Sequence, residues 1–259
     1  MASDPARSAI LISGAASGIG LATARAYAAR GWLVGAPDRD AVGLNRLAAE
    51  LGDAVWTHPL DIADRDGVLA AIDAFAGVSG GRLDILLANA GIDAKGPFGA
   101  TGWDRIRAVV EVNLLGTMSL IHAALPLLRA TPGALCLSTA SASAIFGQAG
   151  MAVYSATKHA VKGLTEALSG ELAADGVRAA DLLPGIIDTG MLAPEHKAML
   201  PKEGPFRVIA PDAVADAVWA AYRGDRVHWF VPAELATLAV QAATDPERAR
   251  NDQRAGVMV

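Results

Sequence analysis

Tyr154 and Lys158 stand four residues apart, and Ser141 precedes the tyrosine by thirteen. On a helix, residues i and i+4 share a face, so the phenol and the ammonium point the same way. A free tyrosine titrates near pH 10, too high for a useful base at neutral pH. A fixed cation beside it favours the phenolate and lowers that value. Such a pair makes an acid/base that works near physiological pH. A surface tyrosine and a solvated lysine would show the same spacing, so the pair means something only if the rest of the chain carries it to a cleft.

At 259 residues the chain is long enough to bury a sizeable core. Hydrophobic residues make up 53% and charged residues 19%, the balance of a globular protein rather than a disordered one. The formal net charge of −5 gives no general attraction to nucleic acid or to an anionic membrane. Cys136 is the one cysteine, in the apolar run 134–137, so no disulfide framework forms within the chain. The five histidines (His58, His122, His159, His196 and His228) show no zinc-ligand spacing, and no metal site is expected. The polar start, 1–8, and the short apolar run after it do not form a signal-peptide core. The longest uncharged stretch, 130–157, is too rich in Ser, Thr, Gly and Gln for a membrane span. A cytoplasmic protein with no membrane partner is the expectation.

The elements that must position the pair follow from periodicity. Short apolar runs at 9–12, 32–36, 55–56, 85–87, 134–137, 179–183 and 227–231 read as buried strands. Helical patterns separate them, including a long one through Ile106, Val109, Val110, Asn113, Thr117, Leu120, Ile121 and Ala124, and another over 154–174. From Thr244 onward the chain reads as a polar tail. Alternation of strand and helix implies right-handed crossovers and parallel strands. The expected fold is a single doubly wound (Rossmann-type) α/β domain over 1–259, a mainly parallel seven-stranded sheet with helices on both faces. In such sheets ligands bind beyond the carboxyl ends of the strands. Gly14, Asp38, Asp61, Asn89-Ala90-Gly91, residues 138–143 and Pro184-Gly185 all fall at those ends.

Gly14, Ser17, Gly18, Ile19 and Gly20 occupy the first strand-to-helix turn. Glycines there let the backbone approach a pyrophosphate, and the helix N-terminus offers free N–H groups with partial positive charge. Asp38 follows eighteen residues after Gly20, at the end of the second strand. A carboxylate in that place accepts both adenosine ribose hydroxyls and repels a 2′-phosphate, which favours NAD over NADP. Arg39 is the dissenting residue, because a guanidinium can hold a phosphate. Asp61 is placed either to meet the adenine amine, with Ile62 on the ring edge, or simply to make a turn or cap.

With these elements in place, the sequence closely resembles the short-chain dehydrogenase/reductase family over roughly 8–232. The family's TGxxxGxG appears as 13–20 with Ser13 for threonine, and its NNAG as 88–91 with Ala88 for the first asparagine. Its helix asparagine matches Asn113, its serine Ser141, its YxxxK Tyr154 and Lys158, and its PGxxxT runs from Pro184 to Thr189. Ser138 and Ser143 are close rivals to Ser141, which is chosen on spacing alone.

The resemblance implies the roles. Tyr154 exchanges the proton of the substrate oxygen. Ser141 donates a hydrogen bond to that oxygen. Lys158 lowers the tyrosine pKa and holds the nicotinamide ribose. Asn113 helps hold a water that links Lys158 to solvent, or else bonds its own helix. Asn89, Ala90 and Gly91 pack along the adenosine ribose, and Ile187 and Thr189 meet the nicotinamide carboxamide. The implied activity is an NAD-dependent interconversion of a secondary alcohol and a ketone. The alternatives are a protein that senses the dinucleotide without chemistry, and an epimerase or dehydratase of the same fold.

Three loops, 92–102, 142–151 and 190–210, are expected to enclose the substrate, the last as a lid. Ile145, Phe146, Met151, Met191, Leu192, Met199, Leu200 and Phe206 either make an apolar pocket for a hydrophobic alcohol or ketone or pack against the fold. Gln148 either bonds a substrate or stays in solvent. The family forms homotetramers, so a homo-oligomer (tetramer or dimer) is expected.

Overall fold

The computed structural model describes residues 7–254. Seven parallel strands form one sheet in the order β3-β2-β1-β4-β5-β6-β7. They are β1 (Ala9–Ile12), β2 (Leu33–Asp38), β3 (Val55–Pro59), β4 (Ile85–Ala88), β5 (Leu135–Thr139), β6 (Arg178–Pro184) and β7 (His228–Val231). The order reverses between β1 and β4, which opens a crevice at their carboxyl ends.

The central strands are apolar throughout because both faces are covered. On one face Ile10, Ile12, Ile85, Leu87, Leu135 and Leu137 pack with helices α1 (Gly18–Ala29), α2 (Ala41–Leu51) and a later helix, Pro211–Arg223. On the other, Leu11, Leu86 and Cys136 meet α3 (Arg65–Ser79) and the long rod that follows. Adjacent residues of one strand thus serve opposite cores, as the pleat requires. Burial leaves Cys136 an inert thiol, its pKa pushed up to about 12.

The long rod comprises α4 (Trp103–Val110), a π-helical turn (Glu111–Gly116) and α5 (Thr117–Ala130). By length and composition alone it would cross a membrane, but it packs on β4 and β5 and against α3 and α6 (Ala152–Glu171). Val109, Asn113, Thr117 and Ile121 are all buried. A strict spacing of four drifts around an α-helix, and the wider turn brings it back to one face.

Beyond β6 come α7 (Pro194–Lys197), α8 (Pro211–Arg223), α9 (Leu235–Thr244) and α10 (Pro246–Arg254). The last shows that the polar tail is helical as far as Arg254. Asp245 accepts from the Arg248 N–H at 2.9 Å, and Pro246 opens the helix. Asp-Pro-Glu is a helix start signal that the charge of the segment concealed.

Candidate active site

One cavity of about 780 Å³ runs over the carboxyl ends of the strands. Of the expected catalytic and cofactor residues, all but Gly20 and Asn113 line it; of the expected substrate-pocket residues Ile145, which packs against the fold, and exposed Met199 do not.

At one end lies the glycine turn. Ser17 precedes α1 without making a side-chain cap, and no acid sits in the first turn. The free N–H groups and the dipole are therefore available to an anion. Gly18 has φ +52°, a conformation that suits glycine. Gly20 packs so closely that a Cβ there would sit 2.1 Å from the Gly14 carbonyl oxygen. Its role is to close the turn rather than to touch a ligand.

Ser13, the serine in place of threonine, accepts from the N–H groups of Asn89 and Ala90, each at 3.0 Å. The Asn89 amide donates to the Ser13 carbonyl oxygen at 3.1 Å and accepts from the Thr139 hydroxyl at 3.2 Å. This ties together the ends of β1, β4 and β5. Asp38 is half-buried, and its carboxylate accepts from the Ala16 and Asp40 N–H groups, both at 2.9 Å. Each oxygen keeps further acceptor capacity toward the cavity. Arg39 is exposed at the same rim. Asp61 lines the cavity and makes a turn, accepting from the Ala63 N–H at 3.0 Å, while Asp64 rather than Asp61 caps α3. A dinucleotide fits this donor set, with its phosphates at the glycine turn and its adenosine ribose at Asp38.

At the other end are Ser141, Tyr154 and Lys158. Lys158 is 4% exposed, and its Nζ donates to the Thr139 carbonyl oxygen at 2.7 Å. A Cβ on Gly91 would meet the Asn113 Oδ1 at a tight 3.3 Å and the Lys158 Nζ at an ordinary 3.6 Å. Burial pulls the Lys158 pKa down to about 8. Burial also pushes the Tyr154 phenol up to about 12, with the Ser141 hydroxyl pulling the other way. Desolvation is the largest cause of the phenol's shift, and Lys158 is not among its causes.

Asn113 sits beneath this end of the site. It is fully buried, its Oδ1 accepts from the Ile92 N–H at 2.8 Å, and its amide donates to the Ile92 carbonyl oxygen at 2.9 Å and to Thr157 at 3.2 Å. The side chain therefore braces the loop after β4 against α6 and does not face the cavity.

Sequence reasoning missed Asp93, Lys95 and Gln253, which also line the cavity. Lys95 donates to the Met191 carbonyl oxygen at 2.7 Å, pinning the 190–210 segment. That segment is held further by the Ile187–Ile209 bridge, the Lys197–Asp188 ion pair and Arg207 to Glu234 at 2.8 Å. Such long-range pairings leave no local signal in sequence.

The family model for short chain dehydrogenases matches residues 8–200, and the chain belongs to that family. The cis-4-hydroxycyclohexanecarboxylate dehydrogenase of Sinomonas cyclohexanicum is 35% identical, covering 87% of this chain and 93% of its own. The 1-deoxy-11-beta-hydroxypentalenate dehydrogenase of Streptomyces exfoliatus is 37% identical, covering 86% and 82%. A short chain dehydrogenase/reductase from Burkholderia phymatum, solved in complex with NAD, superposes with a TM-score of 0.81 at 27% identity, covering 94% of this chain and 95% of the other. These relatives support an oxidoreductase acting on an alcohol or ketone.

Proposed function

We propose that this protein is an NAD-dependent oxidoreductase that interconverts a secondary alcohol and a ketone on a hydrophobic small molecule. The carrying observation is that Ser141, Tyr154 and Lys158 share one cavity with Asp38 and an uncapped helix N-terminus. Bound nicotinamide dinucleotide supplies the hydride-accepting or hydride-donating ring and, when oxidised, a positive charge. Everything else falls to the chain. The glycine turn and Asp38 hold the dinucleotide, Lys158 and Thr189 orient its nicotinamide half, and Ser141 positions the substrate oxygen. Tyr154 takes the proton from that oxygen in oxidation and returns it in reduction. Asn113 acts on this chemistry only by positioning the loop at Ile92.

The NAD preference rests on the Asp38 carboxylate, which is fixed by two backbone N–H groups where a 2′-phosphate would have to sit. Phe146, Met151, Leu192 and Phe206 give the substrate end its apolar lining, and the 190–210 segment is its lid. The names of both curated relatives fit an alcohol substrate, and the solved relative fits the cofactor. Exposed Trp103, Leu115 and Met118 on the long rod suit a homo-oligomer.

The test is a screen of secondary alcohols and ketones, cyclohexanols included, with NAD(H) and NADP(H), followed at the nicotinamide absorbance band. Turnover faster with NAD(H) is expected. Cofactor binding with no turnover of any compound would replace the enzyme with a dinucleotide-binding protein.

A further inference from the structure

Gln253 lies on α10, and its Nε2 donates to the Gly147 carbonyl oxygen at 3.2 Å, across 106 residues of sequence. The bond seats the C-terminal helix on the loop between β5 and α6. The next residue along that loop is Gln148. Its N–H donates to the Ser155 hydroxyl at 3.0 Å, one residue beyond Tyr154, and its carbonyl oxygen accepts from Met151 at 3.1 Å. The Gln148 main chain is thus fixed, while its carboxamide has no partner among the described residues. Both glutamines line the cavity that holds Tyr154 and Ser141. Their neighbours there are apolar: Phe146, Met151, Met191, Leu192, Leu200 and Phe206. Of the charged side chains at this end, Asp93 pairs with Lys95 at 3.2 Å and with Arg105 at 3.8 Å, and Lys95 also donates to the Met191 carbonyl oxygen.

We infer that Gln148 and Gln253 form a hydrogen-bonding wall in the substrate chamber that selects secondary alcohols bearing a second hydroxyl group. The inference rests on the function proposed above and adds the substrate class. A carboxamide presents a donor and an acceptor side by side, and a hydroxyl, which both donates and accepts, is its complement. Within apolar surroundings an amide left facing a methyl group loses its water without a replacement partner. A site of this kind discriminates against an analogue that lacks the hydroxyl far more strongly than size alone would allow.

The experiment compares kcat/KM for 1,2-, 1,3- and 1,4-cyclohexanediol with that for the corresponding methylcyclohexanols, which match them in size. At least one diol is expected to exceed its methyl counterpart by about tenfold in the wild type, despite being less hydrophobic. In Q148L and in Q253L that ratio should fall severalfold, while the KM for NAD stays put and thermal melting shows both variants folded. A wild type that favours every methylcyclohexanol, or leucine variants that retain the wild-type ratio, would overturn the inference and leave the proposed function standing. Absence of turnover for both series with either cofactor would overturn the inference, and the proposed function falls with it only if the wider screen of alcohols and ketones is silent too.

Discussion

The Nζ of Lys158 lies 5.6 Å from the centroid of the Tyr154 ring. The two residues share a helix face, as their spacing requires, yet the ammonium gives its hydrogen bond to the Thr139 carbonyl oxygen. Both groups are pushed toward their neutral forms by burial.

Tyr154→Phe should remove turnover while leaving NAD binding nearly intact. General acid–base catalysis is typically worth about 10²–10⁴-fold, and Ser141 has no basicity to substitute. Steady-state rates together with a fluorescence titration of NADH separate the two effects. Turnover close to wild type would take Tyr154 out of the chemistry.

Lys158→Met should abolish turnover and yet raise the melting temperature of the ligand-free protein at pH 7. A lysine whose pKa falls to about 8 on folding is disfavoured in its charged form. The penalty is fully present below pH 8 and is relieved as pH rises toward the unfolded value of about 10.5. The gain, a few degrees after allowing for the lost bond to Thr139, should shrink above pH 8. A variant that melts lower than wild type at pH 7 would mean that the ammonium–carbonyl bond outweighs desolvation.

Asp38→Ala should narrow the preference for NAD over NADP. It removes the charge that faces a 2′-phosphate and leaves exposed Arg39 free to meet one. The ratio of kcat/KM values for the two cofactors measures the change. An unmoved ratio would show that selection lies elsewhere in the turn.

His228→Gln should flatten the dependence of melting temperature on pH between about 6 and 7.5. His228 Nδ1 lies 2.8 Å from fully buried Asp181, and its Nε2 lies 3.1 Å from Glu166, which also pairs with Lys162. The bond to Asp181 raises the His228 pKa, and burial raises that of Asp181. Both groups hold their protons more tightly in the native state than in the unfolded chain. The His228 contribution to stability is therefore present below the ordinary histidine value of about 6.5 and is lost as pH rises through the folded His228 pKa, whereas that of Asp181 belongs to the more acidic carboxylate range. Wild-type melting should fall across this range, and an equal fall in the variant would place the effect at another group.

Apolar runs and their punctuation made the sheet legible. β1 was located to the residue, and the other strands to within a few positions at their ends. The cofactor end of the site was legible for a related reason: glycines and an acid at strand ends have few other uses there. The substrate end was not. Gln253 reaches it from a helix that charge made look like a tail, and Lys95 through a bond to a main-chain atom that no side-chain pattern encodes. Asn113 was found by its type, but its partner, the Ile92 backbone, follows only from folding. The Tyr154–Lys158 spacing is legible in sequence, but the burial that acts on both titrations follows only from folding.

The widened turn at Glu111–Gly116 holds one residue more than a regular α-helix needs for the same rotation. Deleting one of its six residues would tighten the rod into an ordinary α-helix while leaving α4 and α5 on nearly their present faces. Val109 would keep its buried seat, and the change would fall on the turn itself, where Asn113 holds Ile92. A shorter relative can therefore drop this residue without unseating either helix, provided that it fastens the loop after β4 by other means.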